Sequence, residues 1–152
     1  MSDATTLRTA GPADAAAIHE LVQSAYAKWL PIAARPPLPM TVDYDVAVKA
    51  HRFDLLFVGD RLAALIETTP QGGDLLIVNV AVRPDQQGRG HGVRLLRLAE
   101  DLAAEAGLAG LRLYTNKLFT ENIRLYASLG YAIESEDAAN GGVRVNMRKP
   151  RA

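Results

Sequence analysis

The stretch Asn79-Val-Ala-Val-Arg-Pro-Asp-Gln-Gln-Gly-Arg-Gly-His-Gly92 joins an apolar strand, predicted over 75–82, to a helical pattern that begins near Val93. Three glycines at alternate positions form the turn between them. The first backbone N–H groups of a helix have no partner within the helix, and the helix dipole favours negative charge there. Glycine also lets the backbone approach a phosphate closely. The stretch therefore predicts a site for a phosphorylated ligand.

The composition predicts one globular domain, which we assign to residues 1–152. The chain is 49% apolar, which argues against disorder, and it is long enough to bury about two-thirds of its unfolded surface. The 17 Lys and Arg residues balance 17 Asp and Glu residues, so no net charge attracts nucleic acid or an anionic membrane. We therefore expect neither nucleic acid nor a membrane as a partner.

The chain contains no cysteine, which excludes disulfides, thiolate nucleophiles and cysteine metal sites. His19, His51 and His91 do not share the spacing of metal ligands, so we predict no metal. No apolar run approaches the roughly 20 residues needed to span a bilayer. Residues 1–6 lack the charged and apolar segments of a signal peptide, and we expect a cytoplasmic location.

Apolar periodicity along the chain predicts the element order βααβββαβαββ. The predicted strands cover 7–10, 55–58, 62–68, 75–82, 111–115, 131–134 and 143–147, and the predicted helices cover 13–29, 43–50, 90–106 and 121–129. Thr120 is expected to cap the last helix, and the proline-rich segment 31–39 is expected to be an irregular loop. Asn140-Gly-Gly142 predicts the turn of a closing hairpin.

The glycine loop does not match two common nucleotide-binding motifs. A dinucleotide fingerprint requires glycine where Val93 stands and an acidic residue after the next strand, where Leu113-Tyr-Thr115 stands. A Walker loop requires Gly-Lys-Ser/Thr, which is missing from the sequence. A turn without any ligand is the remaining alternative, although three alternate glycines exceed what a turn requires.

Two motifs together resemble a known family. Gln87-Gly-Arg-Gly-His-Gly92 fits Gln/Arg-x-x-Gly-x-Gly/Ala, and Tyr114-Thr-Asn116 is followed by Asn122, Tyr126 and Gly130-Tyr131. With the element order, these residues resemble the GNAT superfamily of acyl-CoA N-acyltransferases. The resemblance implies an α/β (α+β) GNAT fold, in which about four helices flank a mixed, mostly antiparallel sheet of six to seven strands. Strands four and five of that sheet are splayed apart at a bulge.

The resemblance implies acetyl-CoA as co-substrate. Its pyrophosphate would bind the amides of the glycine loop, and its pantetheine arm would pair with the fourth strand. The implied cofactor-binding residues are Val80, Ala81, Val82, Gln87, Gly88, Arg89, Gly90, His91, Gly92, Asn122 and Tyr126.

The same resemblance makes Tyr126 the general acid that protonates the leaving thiolate, although a helical tyrosine taken alone is more often part of a core. Asn122 lies on the same helix face, four residues earlier. The backbone N–H of Val82, or of a neighbour at the bulge, could polarise the thioester carbonyl. Without a cysteine to carry the acyl group, direct attack by the amine in a ternary complex is favoured.

The general base is less well defined by the sequence. Family members often carry a glutamate on strand four, where Val78 and Asn79 stand here. Glu67 is the leading candidate, and an ordered water is the alternative. The other carboxylates considered are Asp43, Asp45 and Asp74, and each of the four, Glu67 included, is more simply explained as a solvated charge.

The acceptor pocket is expected between the first two helices, the loop that joins them, and the strand ends. Tyr26, Trp29 and Tyr44 are its predicted aromatic residues, although Trp29 could equally close the edge of the core. Asn79 is predicted either to contact the acceptor or to satisfy backbone groups at the bulge. An aromatic pocket with a proline-stiffened loop suits a small amine or an amino-acid-like ligand.

These observations predict an N-acetyltransferase that transfers acetyl from acetyl-CoA to the primary amine of a small molecule, or to a peptide N-terminus or lysine. The alternative is a non-catalytic module that binds acyl-CoA as a sensor or partner domain, which the missing strand-four carboxylate favours. The last strand, 143–147, could also mediate a homodimer, as the C-terminal strands of many relatives do.

Overall fold

The computed structural model describes residues 4–151, so residues 1–3 and 152 of the predicted domain lie outside the described range. The element order is the predicted one. The strands are β1 (Thr5–Thr9), β2 (Arg52–Val58), β3 (Arg61–Gln71), β4 (Asp74–Val82), β5 (Gly110–Asn116), β6 (Ala132–Ala139) and β7 (Gly142–Pro150). The helices are α1 (Ala15–Tyr26), α2 (Tyr44–Ala50), α3 (His91–Glu105) and α4 (Thr120–Ser128).

The strands form one sheet of seven in the order β1-β2-β3-β4-β5-β7-β6. All neighbours are antiparallel except β4 and β5, which are parallel and pair only where Leu75–Ile77 meets Leu111–Leu113. Beyond Ile77 the two strands separate. The predicted fold class is confirmed, including the splayed fourth and fifth strands.

A bulge in β4 lies where the separation begins. Glu67 of β3 pairs with Asn79, and Thr68 pairs with Ile77, so Val78 is an extra residue without a partner on β3. Side chains normally alternate between the faces of a strand, but the extra residue changes their phase. Ile77 therefore packs on one face of the sheet and Ala81 on the other.

Two apolar clusters cover the two faces. One packs α3 against the centre of the sheet through Leu95, Leu96 and Ala99. The other packs α1 and α2 through the predicted stripe of α1, which includes Ile18 and Leu21. Both clusters bury side chains completely, so the sheet is a rigid support for the splayed strands between them.

Several predicted boundaries differ from the structure. α1 ends at Tyr26, and a 3-10 turn (Ala27–Trp29) continues it. The segment expected to be irregular ends in another 3-10 turn, Leu38–Thr41. This turn has a proline in its first positions, where a backbone N–H would have no partner within the turn. Thr120 was wrongly predicted as the cap of α4. It is the first residue of that helix, because Phe119 precedes it as cap and its carbonyl accepts the N–H of Asn122.

The last strand of the chain is not at the edge of the sheet. β7 pairs with β5 on one side and with β6 on the other, so residues 143–147 offer no unpaired backbone to a second copy. A homodimer built by strand pairing would use β1 or β6 instead. Within residues 4–151, no helix has the length and apolarity required to cross a membrane.

Candidate active site

The glycine loop leaves six consecutive backbone donors free. α3 begins at His91, and the first of its N–H groups to find a backbone partner is that of Arg94, which donates to the Gly90 carbonyl at 3.0 Å. The N–H groups of Gly88 to Val93 donate to no other group within residues 4–151. These donors are not capped by the protein itself and are available to a ligand.

Two of the loop glycines are required by the backbone. Gly88 and Gly90 have φ values of 78° and 83°, a conformation that L side chains rarely adopt. Gly92 has no such requirement, and a Cβ there would lie 3.8 Å from Val82 Cγ2, an ordinary contact. The chain therefore needs glycine at the first two positions for conformation and tolerates a methyl group at the third.

The loop opens onto a cavity of about 1040 Å³, part of it open to solvent, between the end of β4, the end of α1, and α4. Of the predicted cofactor residues, all except Arg89 line this one cavity. They are Val80, Ala81, Val82, Gln87, Gly88, Gly90, His91, Gly92, Asn122 and Tyr126. The structure thus brings together residues from three elements that are distant in sequence.

The open edge of β4 faces this cavity. The Arg83 N–H donates to the Ala63 carbonyl of β3 at 2.8 Å. Backbone groups alternate between the two sides of a strand, so those of Val80 and Val82 point away from β3, into the gap left by β5. Gln87 Nε2 already donates to the Val82 carbonyl at 3.2 Å. This edge can therefore accept an extended, amide-bearing ligand as an added strand.

The side chain of His91 is buried at the start of α3. Burial lowers the pKa of this imidazole, and Arg89 and Arg94 lower it further. The ring is therefore neutral at neutral pH, with Nε2 3.3 Å from Gln86 Oε1. His91 contributes its backbone N–H to the loop rather than a positive charge.

Asn122 and Tyr126 of α4 line both this cavity and a second, adjoining one. Burial raises the pKa of Tyr126 to about 12, so its phenol is protonated at neutral pH. The Tyr131 ring packs edge-on against it, 6.1 Å away between ring centroids. Tyr126 thus places a protonated phenol where the two cavities adjoin.

The second cavity, of about 760 Å³ with part of it open to solvent, lies between the proline-rich loop, the β4 bulge, the end of β5 and the β6–β7 turn. Tyr26 and Asn79 line it as predicted. The opposite wall was not predicted from the sequence, and it includes Tyr114, Thr115, Asn116, Asn140, Val143 and Arg144. Of these residues, only Tyr114-Thr-Asn116 carried a signal in the sequence, as part of the second motif. The others belong to the β6–β7 hairpin, which is brought to the site only by the tertiary fold.

The predicted acceptor aromatics are distributed differently. Tyr26 lines both cavities, and Trp29 lines the first cavity only, stacked on Phe119 with 4.3 Å between ring centroids. Tyr44 lines neither cavity, and its hydroxyl donates to the Pro39 carbonyl at 2.7 Å. Tyr44 therefore supports the proline-rich loop from behind.

Asn79 lies where a contact with the acceptor was predicted, but its side chain bonds to other side chains rather than to the backbone groups of the bulge. It is buried, it lines the second cavity, and its Oδ1 accepts the Tyr26 hydroxyl at 2.5 Å. Its Nδ2 lies 3.5 Å from the Tyr44 hydroxyl, a weak contact. Burial raises the pKa of Tyr26 well above its usual range, so this hydroxyl keeps its proton. Asn79 thereby ties α1 to the bulge.

Glu67 is a buried carboxylate beside the second cavity. It is only 3% exposed and faces Asn79 across the β3–β4 pair, but it lines neither cavity. Its Oε2 lies 2.7 Å from His51 Nδ1. Burial raises the pKa of Glu67, and the hydrogen bond to His51 opposes that rise. An ionisable group in this position is costly unless it is paired.

The other carboxylate candidates have structural partners. Asp43 caps α2 by accepting the Asp45 N–H at 3.0 Å, and Asp45 itself lies exposed in the first turn of that helix. Asp74 accepts hydrogen bonds from Arg112 and Arg148. Across residues 4–151, no three His, Cys, Asp or Glu side chains group closely enough to hold a metal ion.

Comparison with known proteins identifies the family. The model of the acetyltransferase (GNAT) family matches residues 16–131, which is most of the chain. A search of curated proteins finds no match. The chain belongs to the GNAT family of acetyltransferases.

Solved structures share the fold at low sequence identity. The ribosomal-protein-S18-alanine N-acetyltransferase from Escherichia coli has a TM-score of 0.78 at 23% identity, with 98% of this chain and 95% of that chain covered. PaiA N-acetyltransferase from Thermoplasma acidophilum, in complex with coenzyme A, has a TM-score of 0.80 at 16% identity, with 97% and 99% covered. Nourseothricin acetyltransferase has a TM-score of 0.75 at 23% identity, with 98% and 99% covered.

Proposed function

We propose that this protein transfers the acetyl group of acetyl-CoA to the primary amine of a small molecule or peptide, by direct attack in a ternary complex. The observation that carries this proposal is the row of six free N–H groups from Gly88 to Val93, which opens onto a cavity continuous with the open edge of β4. The coenzyme A complex of the PaiA relative supports the same ligand.

In this proposal the pyrophosphate accepts hydrogen bonds from the glycine-loop amides, aided by the dipole of α3. The pantetheine arm extends along β4 and pairs with the outward backbone groups of Val80 and Val82. The thioester then lies where the two cavities meet. Tyr126 and Asn122, which line both cavities, flank that point.

The transfer itself needs three groups around the thioester. The amine nitrogen attacks the carbonyl carbon, and the carbon–sulfur bond breaks. The backbone N–H of Val80 is the donor best suited to the developing oxyanion, because Val80 lines both cavities and Val82 lines only the first. Tyr126 gives its proton to the departing thiolate.

Glu67 is the proposed base that receives the proton lost by the amine. Because Glu67 lines neither cavity, the proton travels through an ordered water between the acceptor and the carboxylate. A buried carboxylate that His51 holds one strand away from the junction can accept a proton through that water, which supports catalysis over a passive acyl-CoA-binding module. The carboxylate missing from strand four is thus replaced by one on β3.

Coenzyme A binding tests the proposal directly. With coenzyme A at about 100 times its Kd, we expect the melting temperature to rise by about 5–10 °C, because the ligand binds only the native state. Gly90→Ala should lose most of this shift, since its φ of 83° is strained for alanine and the loop amides would reorient. Gly92→Ala is the matched control and should keep the shift.

Two outcomes would contradict the proposal. The first is a wild-type protein that shows no stabilisation by millimolar coenzyme A. The second is equal stabilisation of the Gly90→Ala and Gly92→Ala variants, which would mean that the loop amides do not hold the ligand.

A further inference from the structure

The acceptor cavity, by which we mean the second cavity described above, is almost uncharged. Among the described residues that line it, Arg144 is the one ionised side chain at neutral pH, and no aspartate or glutamate is present. The remaining polar lining consists of amides and hydroxyls, including those of Asn79, Tyr114 and Asn140. A cationic acceptor would therefore find no counter-ion in direct contact.

Arg144 forms an ion pair with Asp137 that leaves one of its nitrogens unused. Its Nε and Nη2 each lie 3.0 Å from an oxygen of Asp137, and its guanidinium carbon lies 5.1 Å from the centre of the Tyr114 ring. Its Nη1 has no hydrogen-bond partner within residues 4–151. The Asp137 carboxylate thus orients a planar cation at the wall of the cavity and leaves one donor available.

One side of the acceptor cavity is closed. Asn140 Nδ2, in the β6–β7 turn, donates to the Pro36 carbonyl at 3.0 Å. At the next residue, Gly141, a Cβ would lie only 3.3 Å from Ala34 Cβ and from Arg35 Nε, so the turn and the proline-rich loop are in close contact. This contact restricts the length of acceptor that the cavity admits.

We propose that the acceptor is a small primary amine that also carries a carboxylate. Nη1 of Arg144 holds the carboxylate, and the amine is directed toward the junction at Val80 and Tyr126. This inference rests on the proposed function. A carboxylate gains a charge-assisted hydrogen bond from the guanidinium, whereas a polyamine gains nothing from a cationic wall. The closed side disfavours a protein segment.

An acceptor panel tests this inference with the full-length protein. Free thiol release from acetyl-CoA is measured with L-phenylalanine, L-phenylalaninamide, phenethylamine, spermidine and a hexapeptide that begins with phenylalanine. We expect kcat/KM for the amino acid to exceed that for each of the other four by at least about tenfold. Equal or faster turnover of spermidine or of the hexapeptide would overturn the inference.

Two variants separate recognition from structure. Arg144→Gln should lower kcat/KM for the amino acid by about 10- to 100-fold and leave that for the amide nearly unchanged. Asp137→Asn loses the carboxylate that orients Arg144 but keeps the cation, so it should lower kcat/KM for the amino acid by less than Arg144→Gln does. Arg124→Gln, on the exposed side of α4, is the control. Parallel losses for amino acid and amide in Arg144→Gln would reduce Arg144 to a structural role.

The proposed function and this inference fail in different ways. Stabilisation by coenzyme A with turnover of another acceptor class would remove only the carboxylate inference. Stabilisation without turnover of any acceptor would remove the catalytic proposal and the acceptor with it. A protein that shows neither stabilisation by coenzyme A nor turnover would exclude the coenzyme A site itself.

Discussion

Tyr126 keeps its proton throughout the neutral range, because burial raises its pKa to about 12. A phenol that is protonated and lies at the junction of two cavities is suited to protonate a leaving thiolate.

We expect Tyr126→Phe to lower kcat by about 10²-fold while changing the Kd for acetyl-CoA by less than about threefold. The substitution removes only the hydroxyl and keeps the ring that packs on Tyr131. Steady-state kinetics and calorimetric titration with acetyl-CoA measure the two effects. An unchanged kcat would exclude Tyr126 as the general acid.

The Glu67–His51 pair predicts an acidic limb in the pH profile. The base must be ionised, and burial raises the pKa of Glu67, so kcat/KM should fall as the pH drops through that raised value. The hydrogen bond from His51 lowers the same pKa. His51→Gln should therefore move the acidic limb to higher pH, and Glu67→Gln should abolish most of the activity.

Measurement of kcat/KM between pH 5 and 9 checks this expectation, with His19→Gln as the control because His19 is exposed on α1. An acidic limb that does not move in His51→Gln would mean that His51 does not set the pKa of the base. A Glu67→Gln variant with full activity would leave an ordered water as the base.

At the scale of elements, the bulge at Val78 turns an ordinary strand into a binding surface. The extra residue bends β4 at the point where its pairing with β5 stops. The backbone of Val80 and Val82 is exposed only because of this separation. Regular pairing of β4 with β5 would occupy those same groups.

Deletion of Val78 should therefore abolish stabilisation by coenzyme A without disrupting the core. The register of β3 with β4 is kept, because Val78 has no partner on β3, and the faces of Ile77 and Ala81 are kept as well. Val78→Ala retains the extra residue and should retain the stabilisation. Thermal unfolding with and without coenzyme A compares them, and a deletion variant that still responds to coenzyme A would contradict the role of the bulge.

For the molecule as a whole, the titration of carboxylates sets the response to acid. Asp14 accepts hydrogen bonds from Arg8 and from the Gly11 N–H, which lower its pKa to about 2. Arginine partners also lower the pKa values of Asp74 and Glu20. These groups bind fewer protons in the folded than in the unfolded chain, so they stabilise the fold above about pH 4 and lose that contribution as the pH falls.

The free energy of unfolding should therefore decrease between about pH 5 and pH 2, as measured by urea denaturation at a series of pH values. Asp14→Asn should reduce it by on the order of 1 kcal/mol at pH 7, after allowance for solvent screening, and by much less near pH 2. Asp60→Asn, in the exposed β2–β3 turn, is the control. An Asp14→Asn loss that is independent of pH would contradict this assignment.

Much of the fold follows from local chemistry that the sequence displays. Periodicity along α1 and α3 and the turn residues between strands predicted every helix and strand in order. The alternate glycines predicted the loop, because positive φ at Gly88 and Gly90 is a local requirement. The family resemblance, carried by two motifs, extended this to the splayed sheet.

The acceptor side of the site could not be read in the same way. Strict alternation of side chains along β4 would put Ile77, Asn79 and Ala81 on one face of the sheet. The unpaired residue, Val78, places Ile77 on one face and Ala81 on the other. Arg144 and Asn140 reach the cavity because β7 of the predicted hairpin pairs with β5, a long-range pairing with no local signal. Tyr44 was expected in the pocket but lines neither cavity, because the position of a residue on a helix does not specify which neighbouring element its side chain contacts.

The sequence alone thus determined the element order and the glycine loop, since both depend on conformational preferences of neighbouring residues, and its two motifs indicated the family. Only the tertiary structure decided which groups surround the acceptor and which carboxylate stands near them. Those positions depend on strand register and on contacts between residues far apart in the chain. Burial and hydrogen bonds that form only in the folded protein decide them.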